Sequence, residues 1–133
     1  MPSALARRRQ GFEHKVEIRE HRLIADEPPD KGGGDAGPKP TELLAASLAS
    51  CTAITIEMYA DRKGWELGQV EVAVDYTEPS RETPATFDVR IRTAELSDEQ
   101  RQRVLVIAGK CPVHRTLAAQ DVEISDELEM FGA

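Results

Sequence analysis

Three classes of residue are scarce in this chain of 133 residues, and each shortage narrows what the protein can be. Aromatic residues make up only 5%, so we expect a core built on aliphatic side chains and completed by dimerisation. The 17 basic residues are outnumbered by 24 acidic ones, and the net charge of −7 repels phosphates. This charge argues against nucleic acid or anionic lipid as the main partner. Cysteine is the third scarce residue, with Cys51 and Cys111 as the only two thiols.

No pattern of a signal peptide or a membrane span is evident. The most apolar stretch, residues 43–60, carries four Ser and Thr hydroxyls and Glu57, which predicts a segment too polar to span lipid. We therefore expect a soluble, cytosolic protein with one domain over residues 1–133. Thiols are normally kept reduced in the cytosol, so two cysteines far apart in sequence indicate either redox chemistry or inert burial rather than a permanent disulfide.

The first half of the chain predicts a hairpin, a loop and a long helix. Alternating β-branched and charged residues favour a β-hairpin near 13–26, and the Gly- and Pro-rich segment 26–40 predicts a surface loop that is functional or disordered. Pro40 fits the first helical position and Gly64 the end of the helix. The helix is apolar nearly all round, which predicts a central helix enclosed by the core or by a second subunit. Its inward-facing stripe is expected to contain Leu44, Leu48, Cys51, Thr55 and Met58.

The second half predicts an antiparallel hairpin followed by a helix in two parts. Residues 70–76 and 87–93 alternate apolar and polar side chains, as strands with one wet face do. A capping box from Ser97 to Gln100 starts the next helix, and Pro112 must kink or restart it. A short strand at 122–124 closes the chain. This order of elements predicts an α+β fold with helices packed on antiparallel sheet.

The two cysteines differ in what their positions offer. Cys111 stands directly before Pro112 at a predicted helix start, where unpaired N–H groups and the helix dipole lower the pKa of a thiol. Cys51 lies in the middle of a helix and needs a cation from elsewhere in the fold. The candidate cations are Arg7 to Arg9, Arg19, His21, Arg22, His114 and Arg115. If the two sulfurs meet, they close a loop of 60 residues.

Other interpretations of these residues stay open. Both cysteines fit inert, buried thiols, and Cys111 with His114 has a metal-ligand spacing that would need two more ligands. Glu42 either complements the dipole of the central helix or holds a cation near the sulfur. Residues 7–9 are expected to form a solvated, partly disordered end.

Several motifs, in order and spacing, resemble the OsmC/Ohr family of osmotically inducible and organic-hydroperoxide-resistance proteins. They are Asp26-Glu-Pro28, Gly32-Gly33, Gly37-Pro-Lys-Pro-Thr-Glu-Leu-Leu44, Ala45-Ala-Ser-Leu-Ala-Ser-Cys-Thr-Ala53 and Cys111-Pro-Val-His114. The resemblance spans roughly residues 13–128. It implies an OsmC-like fold, an intertwined homodimer in which antiparallel sheets wrap central helices, with two active sites at the subunit interface.

The resemblance also implies roles for the two cysteines. Cys51 matches the peroxidatic cysteine, which reduces an organic hydroperoxide and becomes a sulfenic acid, and Cys111 matches the resolving cysteine, which forms a disulfide with it. An external dithiol, a lipoylated protein in the best-known branch, restores the enzyme, and no metal or flavin is required. The catalytic glutamate of the family falls at Thr41, and Glu42 takes the neighbouring position.

These observations lead to three hypotheses. The first is a cytosolic, dimeric thiol peroxidase that reduces organic hydroperoxides with Cys51 and Cys111, and with Glu42 as a further candidate site residue. The second is a non-enzymatic ligand-binding or stress-response dimer that retains the fold, with buried thiols and the Gly/Pro loop as a lid over an apolar groove. The third is a metal-binding protein that uses Cys111 and His114.

Overall fold

The computed structural model describes residues 3–132 and gives them an α+β architecture, as predicted. Two small antiparallel sheets accompany three α-helices in the described part of the chain. In chain order the elements are β1 (Leu5–Gln10), β2 (Glu13–Ile18), β3 (His21–Ala25), α1 (Pro40–Lys63), β4 (Glu71–Thr77), β5 (Thr86–Arg92), α2 (Asp98–Ala108) and α3 (Pro112–Ala118).

The first sheet has the strand order β1-β2-β3, so the predicted hairpin near 13–26 is confirmed. The prediction of a partly disordered end at residues 7–9 is wrong, because these residues lie in β1 and pair with β2. Arg7 contacts Glu17 and Arg9 contacts Glu13, each at 3.1 Å. Opposite charges on neighbouring strands favour pairing, although the arginine side chains remain exposed. The opposite charges of the facing side chains therefore favour the pairing of β1 with β2.

The Gly/Pro-rich loop after β3 is organised around the buried side chain of Asp26, which is 2% exposed. Its carboxylate accepts hydrogen bonds from the backbone N–H groups of Glu27 at 2.7 Å and Ala36 at 3.0 Å. These bonds, led by the one from Ala36, lower the pKa of Asp26. A side chain at Gly37 would collide with the carbonyl oxygen of Ile24. The loop is thus a packed structure that leads the chain from β3 to the start of α1.

Helix α1 begins at Pro40 and ends before Gly64, as predicted, and Gly64 adopts the left-handed conformation with φ of 70°. The helix packs against β4, α2 and α3. The largest group of buried apolar residues lies at this junction and consists of Ile56, Ala60, Leu67, Val104, Ile107 and Ala108. Strands β4 and β5 form the predicted hairpin, with one half-buried and one exposed face. The core therefore covers one side of the second half of α1.

Helix α1 is more apolar than the sequence analysis assumed when it predicted a segment too polar to span lipid. Its most apolar window has a mean hydropathy of 1.4, and its 24 residues are long and apolar enough to cross a membrane by length and composition alone. Helix α1 contacts β4, α2 and α3, and 22% of that window is buried in the single chain. Apolar side chains on its other side are exposed in the single chain, namely Leu44, Ile54 and Met58.

The end of the chain departs from the prediction. Ser97 and Gln100 form the predicted capping box at the start of α2, with hydrogen bonds of 3.1 and 3.0 Å. As predicted, the helix breaks before Pro112, where α3 begins. The predicted strand at 122–124 is wrong, because these residues pair with no other strand in the part of the chain that the structure describes. Val122 is 55% exposed and Ile124 is 83% exposed. An alternating pattern can form a strand only where a sheet edge is within reach.

Candidate active site

Cys51 is carried by the middle of α1 and is half-buried. The buried stripe of this helix consists of Leu48, Thr52, Ile56 and Ala60. It differs from the predicted inward stripe, because only Leu48 is common to the two and Met58 is 62% exposed. The core therefore lies about one position further along the helix than predicted. This rotation buries Thr52, which is 1% exposed, and leaves Cys51 half-buried.

Cys111 is placed by the break between α2 and α3, and its side chain has no exposed area. It is the N-cap residue of α3, with φ of −56° and ψ of 134°. Its sulfur accepts a hydrogen bond from the backbone N–H of His114 at 3.4 Å. Pro112 occupies the first helical position, where it has no N–H to leave unpaired. The predicted position of Cys111 at a helix start is confirmed.

The fold brings the two thiols together, although they are 60 positions apart in the sequence. Both are free, and they lie close enough for each side chain to act on the pKa of the other. Burial raises the pKa of Cys51, and the contact with Cys111 raises it further. Burial also raises the pKa of Cys111, but hydrogen bonds from Cys51 and from the N–H groups of His114 and Val113 outweigh it, so the pKa is lowered. In the single chain Cys111 is therefore the thiol of the pair that loses its proton more readily.

Two threonines of α1 flank the pair, and sequence reasoning did not select them as site residues. The Thr52 hydroxyl acts to lower the pKa of Cys111, whereas the Thr55 hydroxyl acts to lower the pKa of Cys51. Thr55, four residues after Cys51, lies on the same face of α1 one turn further along, whereas Thr52 lies about 100° round the helix from Cys51. The signal that could have identified them is this spacing, but it has meaning only once the position of Cys111 is known.

Glu42 lies at the start of α1, and its carboxylate accepts the backbone N–H of Lys39 at 2.9 Å. This bond satisfies one of the free N–H groups at the helix start, as the helix-dipole interpretation predicts. Nine residues separate Glu42 from Cys51, a rise of about 14 Å along the helix axis. Within one chain the structure thus does not bring Glu42 to the sulfurs. A role for Glu42 beside a sulfur stays a prediction.

The main influences on the pKa of Cys51 are burial, Cys111, the N–H of Val113 and the Thr55 hydroxyl, and no cationic side chain is among them. Among the three predicted arginines of β1, Arg7 and Arg9 form ion pairs with acidic residues of β2. Arg8 forms no salt bridge in the part of the chain that the structure describes, and its Nε donates to the carbonyl of Gly11 at 2.8 Å. The structure therefore leaves Arg8 as the member of this run whose charge is not neutralised by a neighbouring acid.

No group of three or more His, Cys, Asp or Glu side chains within residues 3–132 is arranged to hold a metal ion. His114 meets Cys111 through its backbone N–H. A groove of about 650 Å³ beside the first half of α1 is lined in part by Lys39, Glu42 and Tyr76, and neither cysteine lines it. The chemistry available at the sulfurs is therefore that of two thiols and the hydroxyl and N–H donors around them.

Comparisons with known proteins agree with this fold. The family model described as OsmC-like protein matches residues 32–125. A crystal structure from Psychrobacter arcticus 273-4, described as an osmotic stress induced and detoxification response protein, has 22% identity and a TM-score of 0.78, over 87% of this chain and 88% of that one. Among curated proteins, none is similar enough in sequence to count as a relative.

Two further solved structures are named for resistance to organic hydroperoxides. One is the organic hydroperoxide resistance protein OsmC from Legionella pneumophila, with 19% identity and a TM-score of 0.65 over 89% of this chain and 90% of that one. The other is OhrB of Bacillus subtilis, with 20% identity and a TM-score of 0.61 over 88% and 91% of the two chains. At these identities the likeness shows the fold.

Proposed function

The chain belongs to the OsmC-like family, and from this premise we propose that it is a cysteine-based thiol peroxidase that reduces organic hydroperoxides. The observation that carries the proposal is the proximity of a partly buried thiol, Cys51, to a fully buried one, Cys111. Two structural neighbours named for organic hydroperoxide resistance support the substrate class. The cytosol, where thiols are kept reduced, suits this chemistry.

In the first step the sulfur of Cys51 attacks the distal oxygen of the hydroperoxide. An S–O bond forms as the O–O bond breaks, and two electrons pass from sulfur to the peroxide. The products are a sulfenic acid on Cys51 and an alcohol, which takes one proton. Cys51 is assigned this step because its side chain is partly exposed and that of Cys111 is not.

In the second step the thiolate of Cys111 attacks the sulfenic sulfur of Cys51. A disulfide forms and the hydroxyl of the sulfenic acid leaves as water after taking a proton. The lowered pKa of Cys111 favours this step, because the thiolate is the nucleophile. An external dithiol, for which a lipoylated protein is the candidate, then restores both thiols by exchange. The cycle needs no metal or flavin.

The first step needs a positive group near Cys51, since the pKa of this thiol is raised in the single chain. We infer that a second copy of the chain supplies it from β1, with Arg8 as the candidate. The same arrangement would explain Glu42, whose carboxylate could orient that arginine across the interface although it lies far from the Cys51 of its own chain. The catalytic glutamate of the family falls at Thr41, but a threonine has no carboxylate with which to orient an arginine, so Glu42 is the candidate for this role.

A homodimer is supported by the apolar surface that one chain leaves exposed. On α1, Ile54 is 51% exposed and Met58 is 62% exposed, and a contiguous face of this kind marks an interaction surface. We expect Ile54→Glu to convert the dimer to a monomer in sedimentation experiments, because a buried unpaired carboxylate is costly at an interface. Leu105→Glu, on exposed α2, is the control and should remain dimeric. An unchanged Ile54→Glu dimer would contradict this interface.

The peroxidase proposal is tested by stopped-flow reduction of cumene hydroperoxide with a dithiol as electron donor. The wild-type protein should turn over, and Cys51→Ser should not. Cys111→Ser should consume one equivalent of hydroperoxide and accumulate a sulfenic acid that a selective reagent such as dimedone traps. The proposal fails if wild type shows no turnover above background and Cys51→Ser behaves in the same way.

A second candidate function is the binding of an apolar ligand by a non-enzymatic dimer. An apolar groove of about 450 Å³, partly lined by Phe12, Val16 and Leu43, lies between the first sheet and the start of α1 and borders the Gly/Pro loop. This function predicts that alkylating reagents reach the thiols only after unfolding. Rapid alkylation of Cys51 in the native protein would favour the peroxidase instead.

A further inference from the structure

The side chain of Thr52 presents an unusual polar group in the core. Thr52 is 1% exposed, and its hydroxyl oxygen has no hydrogen-bond partner among the described residues. Buried polar groups are nearly always hydrogen-bonded, since leaving one unpaired costs its lost hydration. An unpaired hydroxyl at a buried position of α1 therefore requires an explanation.

The helix itself offers a partner that Thr52 does not use. A hydroxyl in a helix commonly donates to a carbonyl three or four residues earlier. On the same helix, Ser47 donates to the carbonyl of Leu44 at 2.7 Å, and Ser50 donates to the carbonyl of Ala46 at 2.9 Å. The hydroxyl of Thr52 makes no such bond and lies instead beside the buried sulfur of Cys111. Its proton is thus available for an acceptor outside the helix.

We propose that Thr52 is a positioning residue that donates a hydrogen bond to the thiolate of Cys111. A neutral thiol is a weak acceptor, and this sulfur already receives the N–H of His114. A thiolate is a strong acceptor and can take a further donor. The unpaired Thr52 hydroxyl therefore costs free energy while Cys111 is neutral, and this cost is removed when Cys111 is ionised.

The arrangement of the three residues supports this assignment. Thr52 follows Cys51 directly in sequence, so a bond from Thr52 to Cys111 fixes the buried sulfur next to the one it must attack. The direction of the effect agrees, because the Thr52 hydroxyl contributes to the lowered pKa of Cys111. The part of this inference that concerns attack on a sulfenic acid rests on the proposed peroxidase function. The part that concerns ionisation of Cys111 does not.

The test measures the ionisation of Cys111 directly, by the ultraviolet absorbance of the thiolate as a function of pH. The Cys51→Ser background leaves Cys111 as the only cysteine. In that background Thr52→Val keeps the shape of the side chain and removes the hydroxyl, and we expect it to lower the fraction of thiolate about tenfold at a given pH, which is about one pKa unit. Thr52→Ser should restore the titration, and Thr55→Val should leave it unchanged.

A purely structural role predicts the opposite pattern. Replacing an unpaired buried hydroxyl by a methyl group would then leave the protein as stable or more stable, with an unchanged thiolate titration. An unchanged titration in Thr52→Val, an equal shift in Thr55→Val or a failure of Thr52→Ser to restore it would each overturn the proposal. Thr52→Ala is the second variant if Thr52→Val does not fold, with the same expected loss of thiolate.

A kinetic measurement separates this inference from the peroxidase proposal. With both cysteines present, Thr52→Val should slow disulfide formation after a pulse of cumene hydroperoxide about tenfold near neutral pH, and should leave the formation of sulfenic acid unchanged. If the protein does not react with hydroperoxide but the titration shifts as expected, the peroxidase function fails and the role of Thr52 in ionisation stands. If the protein reacts with hydroperoxide but the titration does not shift, the peroxidase function stands and the role of Thr52 fails.

Discussion

Oxidation of the cysteine pair should stabilise the protein by an amount that follows from the chain between the two sulfurs. The residues joined, Cys51 and Cys111, are 60 positions apart. Closing a loop of this length lowers the entropy of the unfolded chain enough to raise the free energy of unfolding by about 4 kcal/mol. Because the thiols already interact in the reduced protein, the bond should form with little rearrangement. We expect a measured gain of about 2 to 4 kcal/mol, after strain is subtracted.

The assay is unfolding in urea, monitored by circular dichroism, of the reduced protein and of the protein oxidised with one equivalent of hydroperoxide. With a slope of about 2 kcal/mol per molar urea, the midpoint should rise by about 1 to 2 M. The protein concentration must be the same in both samples, since the stability of a dimer depends on it. The double variant Cys51→Ser with Cys111→Ser is the control, and oxidant should not move its midpoint.

Two results would refute this reasoning. The first is an oxidised wild-type protein with the same midpoint as the reduced one, which would mean that the disulfide strains the fold as much as it constrains the unfolded chain. The second is a covalent dimer on a non-reducing gel, which would mean that each cysteine bonds a cysteine of another chain. The second result would also remove the intramolecular pair on which the proposed cycle depends.

Three further predictions concern the loop and the first sheet. The lowered pKa of Asp26 means that its contribution to stability is present above the ordinary value of 3.8 and is lost as the pH falls towards its folded value, so Asp26→Asn should lower the thermal midpoint at pH 7 but differ little from wild type in strong acid. Gly37→Ala should cost about 1 to 3 kcal/mol in urea unfolding because its methyl group meets backbone, whereas Gly34→Ala, with its nearest contact at 3.5 Å, should cost much less; equal effects would contradict this packing. Arg8→Gln should slow alkylation of Cys51 at pH 7 about tenfold, and Arg9→Gln, which removes an ion-paired arginine, should not; the reverse order would show that Arg8 is not the activating group.

Those parts of the fold that are specified by local rules could be predicted from the sequence. Pro40 and Gly64 mark the ends of α1 because each suits a backbone geometry that other residues resist. The capping box at Ser97 and the break at Pro112 follow from hydrogen bonding within a few residues. These signals need no knowledge of the tertiary structure.

Those parts that depend on distant neighbours could not be predicted. Strand β1 was missed because its basic residues, such as Arg7 and Arg9, favour a strand only once Glu17 and Glu13 lie opposite them. The strand predicted at 122–124 is absent from the described chain because an alternating pattern does not specify its partner. In both cases the outcome depends on which sheet edge is available.

The candidate site also has one feature that local rules predict and one that depends on distant neighbours. The position of Cys111 at a helix start was predictable, since Pro112 marks it, and the effect on the pKa of the thiol follows from the N–H groups there. The burial of Thr52 was not predictable, because α1 is apolar nearly all round and its sequence has little periodicity to fix the face that turns inward. A rotation of about one residue separates the predicted stripe from the observed one, and it exchanges Thr55 for Thr52 in the core.

The distribution of burial and charge over the two thiols has a consequence for regulation of their reactivity. The thiol with the lowered pKa, Cys111, has no exposed area, and the thiol that a substrate can reach, Cys51, has a raised pKa. In a single chain the partly exposed thiol is therefore the less acidic of the two. Since no cation of the same chain is among the main influences on the pKa of Cys51, we expect another molecule to supply the charge that favours its ionisation. A second copy that covers the apolar face of α1 and brings Arg8 to Cys51 would make peroxidase activity depend on assembly, so that an unassembled chain is protected from oxidation by the same contacts that keep Cys51 protonated.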